Sequence, residues 1–574
     1  MASSKNHLIV AAIDFGTTYS GYAFSTRDDH NRDPLNVSAN NWNSGSGGLI
    51  SQKTSTCVLF KPNREFDSFG YEAENKYADL ALDKKHSGWR YFRRFKMKLY
   101  ENKLLNRAFE LEDDQGSKMP AMKVFSSSIW YMRTQLMKTC RNRYSDIEDS
   151  DILWVLTVPA IWSDASKQFM REAAVEAGIK DCNLKLALEP EAASLYCKYI
   201  PNEKGDEGMS SFSCGSKYLV LDAGGGTIDI TVHQVQEDGS LKEIHKANGG
   251  DWGGTKVDNA YQALLTGIIG DKGFAKFCKE NKGDMIDLFR DFEIKKRTIK
   301  SFPDDDDAKV NFKIPASMNK RRDIQKTVKS KFKKDFSVTS DKLRVAGHIA
   351  RNLFNDPVMH IIDHLKTIMS EDQAVGIKAI MLVGGFSESP VLQSKVREAF
   401  PDIRMVVPPE AGLAVLKGAV IFGHEPETIT TRISKYTYGI DTSVKFEEGV
   451  HDPAKLFTTS YGEDRCECIF AIHVCIGDSI DIDKPQARER YKVNEPDQKV
   501  ATLKVYVSTQ KDPMYTTDPG CLKIGELRID MADTSRGLER GVDVRMIFGN
   551  TELEVQATDI FTGESVTAAF DFLK

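Results

Sequence analysis

Ile13-Asp14-Phe15-Gly16-Thr17-Thr18-Tyr19-Ser20 and, much later in the chain, Asp222-Ala223-Gly224-Gly225-Gly226-Thr227-Ile228-Asp229 are two versions of one pattern. Each is led by an apolar run ending in Asp, Val10 to Ile13 in one case and the run from Tyr218 in the other. Each then passes through a glycine-threonine turn into a second apolar run. Short apolar runs bounded by glycine turns read as strands, so each copy is a strand, a tight turn and a returning strand. Recurrence of one supersecondary unit in two halves predicts a duplicated two-lobed α/β fold. A third strand, Ala379 to Val383, runs into Gly384-Gly385-Phe386-Ser387.

The turns carry a chemical expectation. Gly16 lets the backbone approach a phosphate closely, and successive N–H groups in such a turn form a concavity for an anion. Thr17 and Thr18 add hydroxyl donors. Asp14, at the strand end, suits a hydrated Mg²⁺, which takes one or two carboxylates with waters and phosphate oxygens. Asp222, Gly224, Gly225 and Gly226 repeat this chemistry, so two facing turns would grip a triphosphate from both sides. Gly384 and Gly385 offer bare backbone to a base or ribose. Any one turn alone reads better as an ordinary strand-ending β-turn, and the inference rests on all three in this order. The chain has no Gly-x-x-x-x-Gly-Lys-Ser/Thr and no Rossmann glycine fingerprint opening a helix, which disfavours those two nucleotide folds.

Working outward, 574 residues exceed one ordinary core, and 41% apolar with 28% charged residues is the balance of a water-soluble chain. A net charge of -5 gives no general polyanion binder. An acidic run stands at Asp304 to Asp307; the basic run Lys320 to Lys334 lacks interleaved aromatics and reads as a solvated helical face, so nucleic acid is not expected. No apolar stretch approaches a membrane span, and the segment after the polar start is too short for a signal peptide. With ten scattered cysteines, the expected address is cytoplasmic. Cys466, Cys468, His473 and Cys475 cluster in sequence, but their spacing is poor for zinc, and structural thiols are favoured. Ile129 to Tyr144, Ser163 to Gly178 and Asp341 to Met369 have helical pattern. Pro201 to Ser216 and Asn36 to Gln52 read as loops. Beyond about Gly423, runs such as Thr502 to Val507, Val542 to Phe548 and Leu553 to Ala557 alternate at period two, with a hairpin turn at Gly549-Asn550. A small antiparallel β-sandwich is expected there.

The turns, with Thr157-Val158-Pro159-Ala160, Glu189-Pro190-Glu191-Ala192-Ala193, Gly253-Gly254 to Asp258-Asn259 and Leu382-Val383-Gly384-Gly385, resemble the seventy-kilodalton heat-shock chaperone family, and most closely its divergent twelfth subfamily. The resemblance runs over about residues 8 to 425 and is weaker beyond, at Lys504-Val505-Tyr506 and Lys511-Asp512-Pro513. It implies an actin-like (ribonuclease H-like) ATPase domain over residues 1–425, with lobe I at about 8–210 and lobe II at about 211–425. A β-rich domain over 426–574 would follow, and the expected lack of a helical lid and acidic tail after it departs from the family. It implies ATP/ADP and Mg²⁺ as cofactors and a protein client as partner.

By the same resemblance, Gly16, Thr17, Thr18 and Tyr19 contact the phosphates, Asp14 and Asp222 organise Mg²⁺ through water, Glu189 is an interlobe carboxylate near the metal, and Thr227 is a phosphate-contacting hydroxyl. Glu293, Lys296 and Arg297 would flank base and ribose, with Gly384 and Gly385 completing the pocket. Lys300 stands where the family has Ser, and Phe386-Ser387-Glu388 where an Arg is usual. Hydrolysis needs a cation at the γ-phosphate; Lys96 is the candidate, with Arg93, Arg94 and Lys98 competing. The segment from His424 to Ser434 is polar where the family has an apolar interdomain linker. Three functions stay open: a nucleotide-controlled chaperone-like protein with slow ATP hydrolysis, an ATP-binding scaffold without turnover, and a small-molecule kinase of the same superfold.

Overall fold

Strand Ile9–Phe15 is buried along its whole length and returns through the first glycine turn into Tyr19–Thr26, with Ile13 opposite Tyr22 and Asp14 opposite Gly21. On its other side Ile9–Phe15 pairs in parallel with Ile152–Val158, which pairs in parallel with Leu184–Leu188. The second hairpin repeats the plan. Lys217–Ala223 lies beside Ile228–Val235 and pairs in parallel with Ile377–Val383, which pairs in parallel with Arg404–Val406. Strands buried on both faces need continuous apolar runs, which is why these segments lack the alternation of a half-solvated strand. Helix Glu189–Tyr199 leaves the last strand of the first sheet, and helix Ala414–His424 follows the last strand of the second. The two pack closely: a Cβ on Gly418 would fall 1.7 Å from the Ala192 carbonyl oxygen, so only glycine fits at the crossing.

This computed structural model describes residues 7–44, 50–144, 146–200, 212–301, 309–319, 335–339, 341–549, 553–569 and 572–573. The acidic run Asp304 to Asp307, the basic run Lys320 to Lys334, most of the polar segment from Pro201, and Asn550 of the expected hairpin turn lie outside the described residues. No helix among the described residues is long and apolar enough to cross a membrane.

The chain divides into two compact units, Met1–Thr231 with Asn248–Pro426, and Val232–Ala247 with Glu427–Lys574. This partition divides the segment 211–425 read as lobe II, with Val232–Ala247 grouped with the second unit. The reason is local: Leu241 and Lys242 pair with Ile429 and Thr431 of strand Ile429–Ile433. That strand also corrects the polar linker. Ile429 is buried, so the segment is a paired strand with an inward face.

Other differences have similar causes. Helix Ala121–Arg143 starts earlier than its pattern from Ile129 indicated. Within the expected helix from Asp341, Lys342–Ala346 is a strand; Leu343 and Val345 alternate inward, and period two wins over five residues before helices Gly347–Asn352 and Asn355–Met369. Ser163 caps helix Asp164–Glu176 as its type predicts, accepting from Ser166 N.

In the second unit a five-stranded antiparallel sheet runs Leu456–Thr458, Asp464–Val474, Thr437–Lys445, Val500–Ser508, Cys521–Asp530. A four-stranded one runs Glu489–Lys492, Gly541–Phe548, Leu553–Asp559, Ser565–Ala569. Ile440, Val505 and Leu527 of the first share one buried cluster with Val544, Met546 and Val555 of the second. Of the clustered sulfur and imidazole side chains, Cys466 is buried and His473 bonds the Tyr491 hydroxyl at 2.7 Å, its pKa pushed down to about 4 by burial.

Candidate functional site

Both glycine turns have their carbonyls committed behind them. In the first, Gly16 O accepts from Thr56 Oγ1 and Thr18 O from Thr56 N, both at 2.8 Å. In the second, Gly224 O, Gly225 O and Gly226 O accept from the amides of Gly254, Thr255 and Gly253 at 2.8–3.1 Å, where helix Thr255–Ile269 begins. A trans peptide unit points the N–H of one residue opposite to the carbonyl of the residue before it. With every described peptide trans, the amides of Thr17, Tyr19, Gly225, Gly226 and Thr227 therefore face away from those partners. Amides turned away from committed carbonyls are what an anion-binding turn requires.

The turns line one cavity of about 540 Å³, within the range of small-molecule sites. Of the residues named from the sequence, Asp14, Gly16, Thr17, Thr18, Tyr19, Lys96, Glu189, Asp222, Gly224, Gly225, Gly226, Thr227, Glu293, Lys296, Arg297, Gly384 and Gly385 line it. The side-chain-free surface is needed. A Cβ on Gly225 would stand 2.2 Å from Thr18 Oγ1, which is itself buried and without a hydrogen-bond partner. Gly384 has φ +85°, and a Cβ there would meet Asp222 Oδ1 at 2.3 Å.

Among the four basic candidates the geometry selects one. Lys96 is 2% exposed, pairs with Glu189 Oε1 at 2.6 Å and sits over the Trp162 ring. Arg94 is engaged by Asp258 at 2.5 Å, Lys98 pairs with Glu101 on the surface, and Arg93 lies over Phe289. None of these three lines the cavity. Burial, with Asp14 and Asp229 nearby, raises the Glu189 carboxyl to about 7 against the opposing pull of Lys96. Asp222 is pushed well above its ordinary value, first by burial and then by Glu189, Asp229 and Asp14.

Elsewhere on the cavity wall, Lys296 bridges Asp258 at 2.8 Å and Glu293 at 2.5 Å, and Arg297 pairs with Glu293 and lies over the Tyr19 ring. Glu388 stands 3.8 Å from Arg297 and accepts from Gly412 N. The stretch after the glycine pair thus presents a carboxylate to that wall.

Three residues escaped the sequence reading. Asp229 closes the second motif and accepts from Ile161 N at 2.9 Å. Thr157 donates to Asp14 Oδ1 at 3.1 Å; it lay inside a quoted motif but had no role. Lys53 pairs with Asp14 Oδ2 at 2.6 Å. It sits in the run Ser51 to Thr56 with no spacing signal to mark it.

The donor set can be tested against a magnesium nucleotide. The orphaned Thr18 hydroxyl, the cradle that a Gly225 side chain would fill and the excess of buried carboxylates all fit one. Among the described residues no three carboxylate, imidazole or thiol groups are grouped to hold an ion directly. The set therefore fits an ion held largely through water and phosphate.

Comparison with known proteins agrees with this geometry. The family model described as "Hsp70 protein" matches residues 52–460. The mouse (Mus musculus) protein "Heat shock 70 kDa protein 12A" is 34% identical, covering 100% of this chain and 93% of its own length. The human (Homo sapiens) protein "Heat shock 70 kDa protein 12B" is 34% identical over 98% of this chain and 91% of its own. With two glycine turns on a repeated hairpin and a family match over most of its length, this chain belongs to the seventy-kilodalton heat-shock family.

Proposed function

We propose that this protein is an ATP-binding, chaperone-like switch that hydrolyses ATP slowly in the cleft between its two glycine turns. The observation that carries the reading is the pair of turns with committed carbonyls and outward amides on one cavity that also holds Lys96 and the buried carboxylates. Asp14 and Asp222 would hold a hydrated Mg²⁺, which when bound supplies charge neutralisation of the phosphates. Thr17, Thr18, Thr227 and the turn amides orient the phosphate chain. Glu189, held near neutral pH by its buried setting, is able to keep or release a proton beside Lys96, whose ammonium stabilises charge developing on the terminal phosphate. Glu293, Lys296 and Arg297 bind the nucleoside.

The second unit, read as a β-sandwich, is the part through which a protein client would be engaged. Support for a chaperone-like role comes from family membership and from the relatives' names, not from a groove traced in the β unit. A reading as scaffold without turnover is separated by experiment. Steady-state phosphate release with Mg²⁺ and ATP is measured beside Lys96→Ala, with nucleotide binding on the same samples. Slow release that falls by about a hundredfold or more in the variant, with binding retained, is expected. Tight binding with no release above the variant would leave only the scaffold.

A further inference from the structure

Among the described residues that line the cleft, Lys53 is the one cation that the hydrolytic reading leaves without a task. It stands between the short strands Ile50–Ser51 and Thr54–Ser55, and the second of these pairs Thr54 with Ser20 and Ser55 with Tyr19. Thr56, just beyond, bonds the Gly16 and Thr18 carbonyls and the Ser20 hydroxyl. The lysine is therefore carried by the same scaffold that shapes the first turn, not by a free loop tip. Its stem lies against Gly21, where a Cβ would come within 2.9 Å of Lys53 Cγ. Its side chain is 17% exposed, against 2% for Lys96, and it lines the same cavity as Thr17, Thr18 and Asp222.

Charge balance gives it a purpose. Asp14, Glu189, Asp222 and Asp229 bear on one another, with Lys96 on Glu189 and Lys53 on Asp14 as counter-charges. With all six groups ionised the cluster lacks two positive charges, the charge of one divalent ion. Without Lys53 it would lack three, and an incoming polyphosphate would meet a more repulsive wall. An ammonium has three donors, so one N–H on Asp14 leaves two for phosphate oxygens.

We infer that Lys53 is a phosphate-positioning residue, which neutralises Asp14 in the free site and takes an oxygen of the terminal phosphate of a nucleoside triphosphate, so that triphosphate binding survives removal of divalent cations. The inference rests on the nucleotide reading above. It is tested by the affinity of the full chain for ATP and ADP, each in Mg²⁺ and in EDTA, for wild type, Lys53→Met and Lys53→Arg, with melting curves to confirm folding. Wild type is expected to keep ATP binding in EDTA. There Lys53→Met should weaken ATP by about tenfold to a hundredfold, the worth of a charge-assisted bond, and ADP by much less. Lys53→Arg should keep the preference for ATP.

On the unmodified chain, ATP in EDTA should protect Lys53 from an amine-reactive label more than ADP does, as read by peptide mass spectrometry; this arm needs no variant to fold. Unchanged ATP affinity in Lys53→Met, or equal labelling with both nucleotides, overturns the inference while the nucleotide site stands. Wild-type binding that vanishes in EDTA overturns it as well. Absence of nucleotide binding in Mg²⁺ and EDTA alike removes the underlying reading with it.

Discussion

The two glycine turns have the same backbone plan and opposite electrostatics. At the first, Asp14 is met by Lys53 at 2.6 Å and by the Thr157 hydroxyl. At the second, Asp222 has no cation within ion-pair distance among the described residues, and burial with three neighbouring carboxylates drives its pKa well upward. A repeated hairpin therefore gives two cradles but not two equal sites. One wall is already compensated in the free protein, while the other holds an unmet demand for positive charge. That asymmetry is what would draw a cation and its nucleotide into the cleft.

The sharpest way to break the comparison is to neutralise each Asp in turn. Asp14→Asn leaves the Lys53 ammonium, largely buried, without its partner and should destabilise the nucleotide-free protein by about 3 kcal/mol in chemical denaturation. Close behind comes pH. A carboxyl held above its ordinary value keeps, in the folded state, a proton that the unfolded chain has already released. For Glu189, whose value rises from 4.5 to about 7, stability should therefore fall as pH rises through that window. A loss on the order of 2 kcal/mol is expected between pH 5 and pH 8 in denaturant titrations. A curve that rises with pH would contradict the cluster's charge balance.

Asp222→Asn should have the opposite sign to Asp14→Asn, because it removes a repelled charge and no partner. A gain of about 1 kcal/mol at pH 8 is expected, and equal losses from both variants would erase the asymmetry. The smallest effect concerns Thr18, whose buried hydroxyl has no partner in the free site. Thr18→Ala should leave the melting temperature nearly unchanged while weakening ATP binding by about threefold to tenfold. An unchanged affinity would place the phosphates elsewhere.

Much of the cleft was legible in the sequence because a glycine-threonine turn is written in local residues: a strand, an Asp, glycines and threonines in order. Both hairpins and all the site residues derived from them fall on one cavity for that reason. Lys53 was illegible because its role comes from pairing between Thr54–Ser55 and Tyr19–Thr26, a contact that no residue spacing announces. Lys96 was named from the sequence beside Arg93, Arg94 and Lys98 of the same basic stretch, and only three-dimensional partners separate the four. The pairing of Val232–Ala247 with Ile429–Ile433 was illegible on the same principle, as the two segments lie far apart along the chain. Alternation over short runs, as in Lys342–Ala346, was overlooked beside the longer helical pattern that follows it.

The most direct test of a nucleotide site between the two turns is calorimetric titration of Mg²⁺-ATP into the full chain and into Gly225→Val, whose first side-chain atom would already fall 2.2 Å from Thr18 Oγ1. One nucleotide bound per wild-type chain, with binding lost in a folded variant, is the predicted result. No binding to wild type, or equal affinity in both proteins, would contradict it.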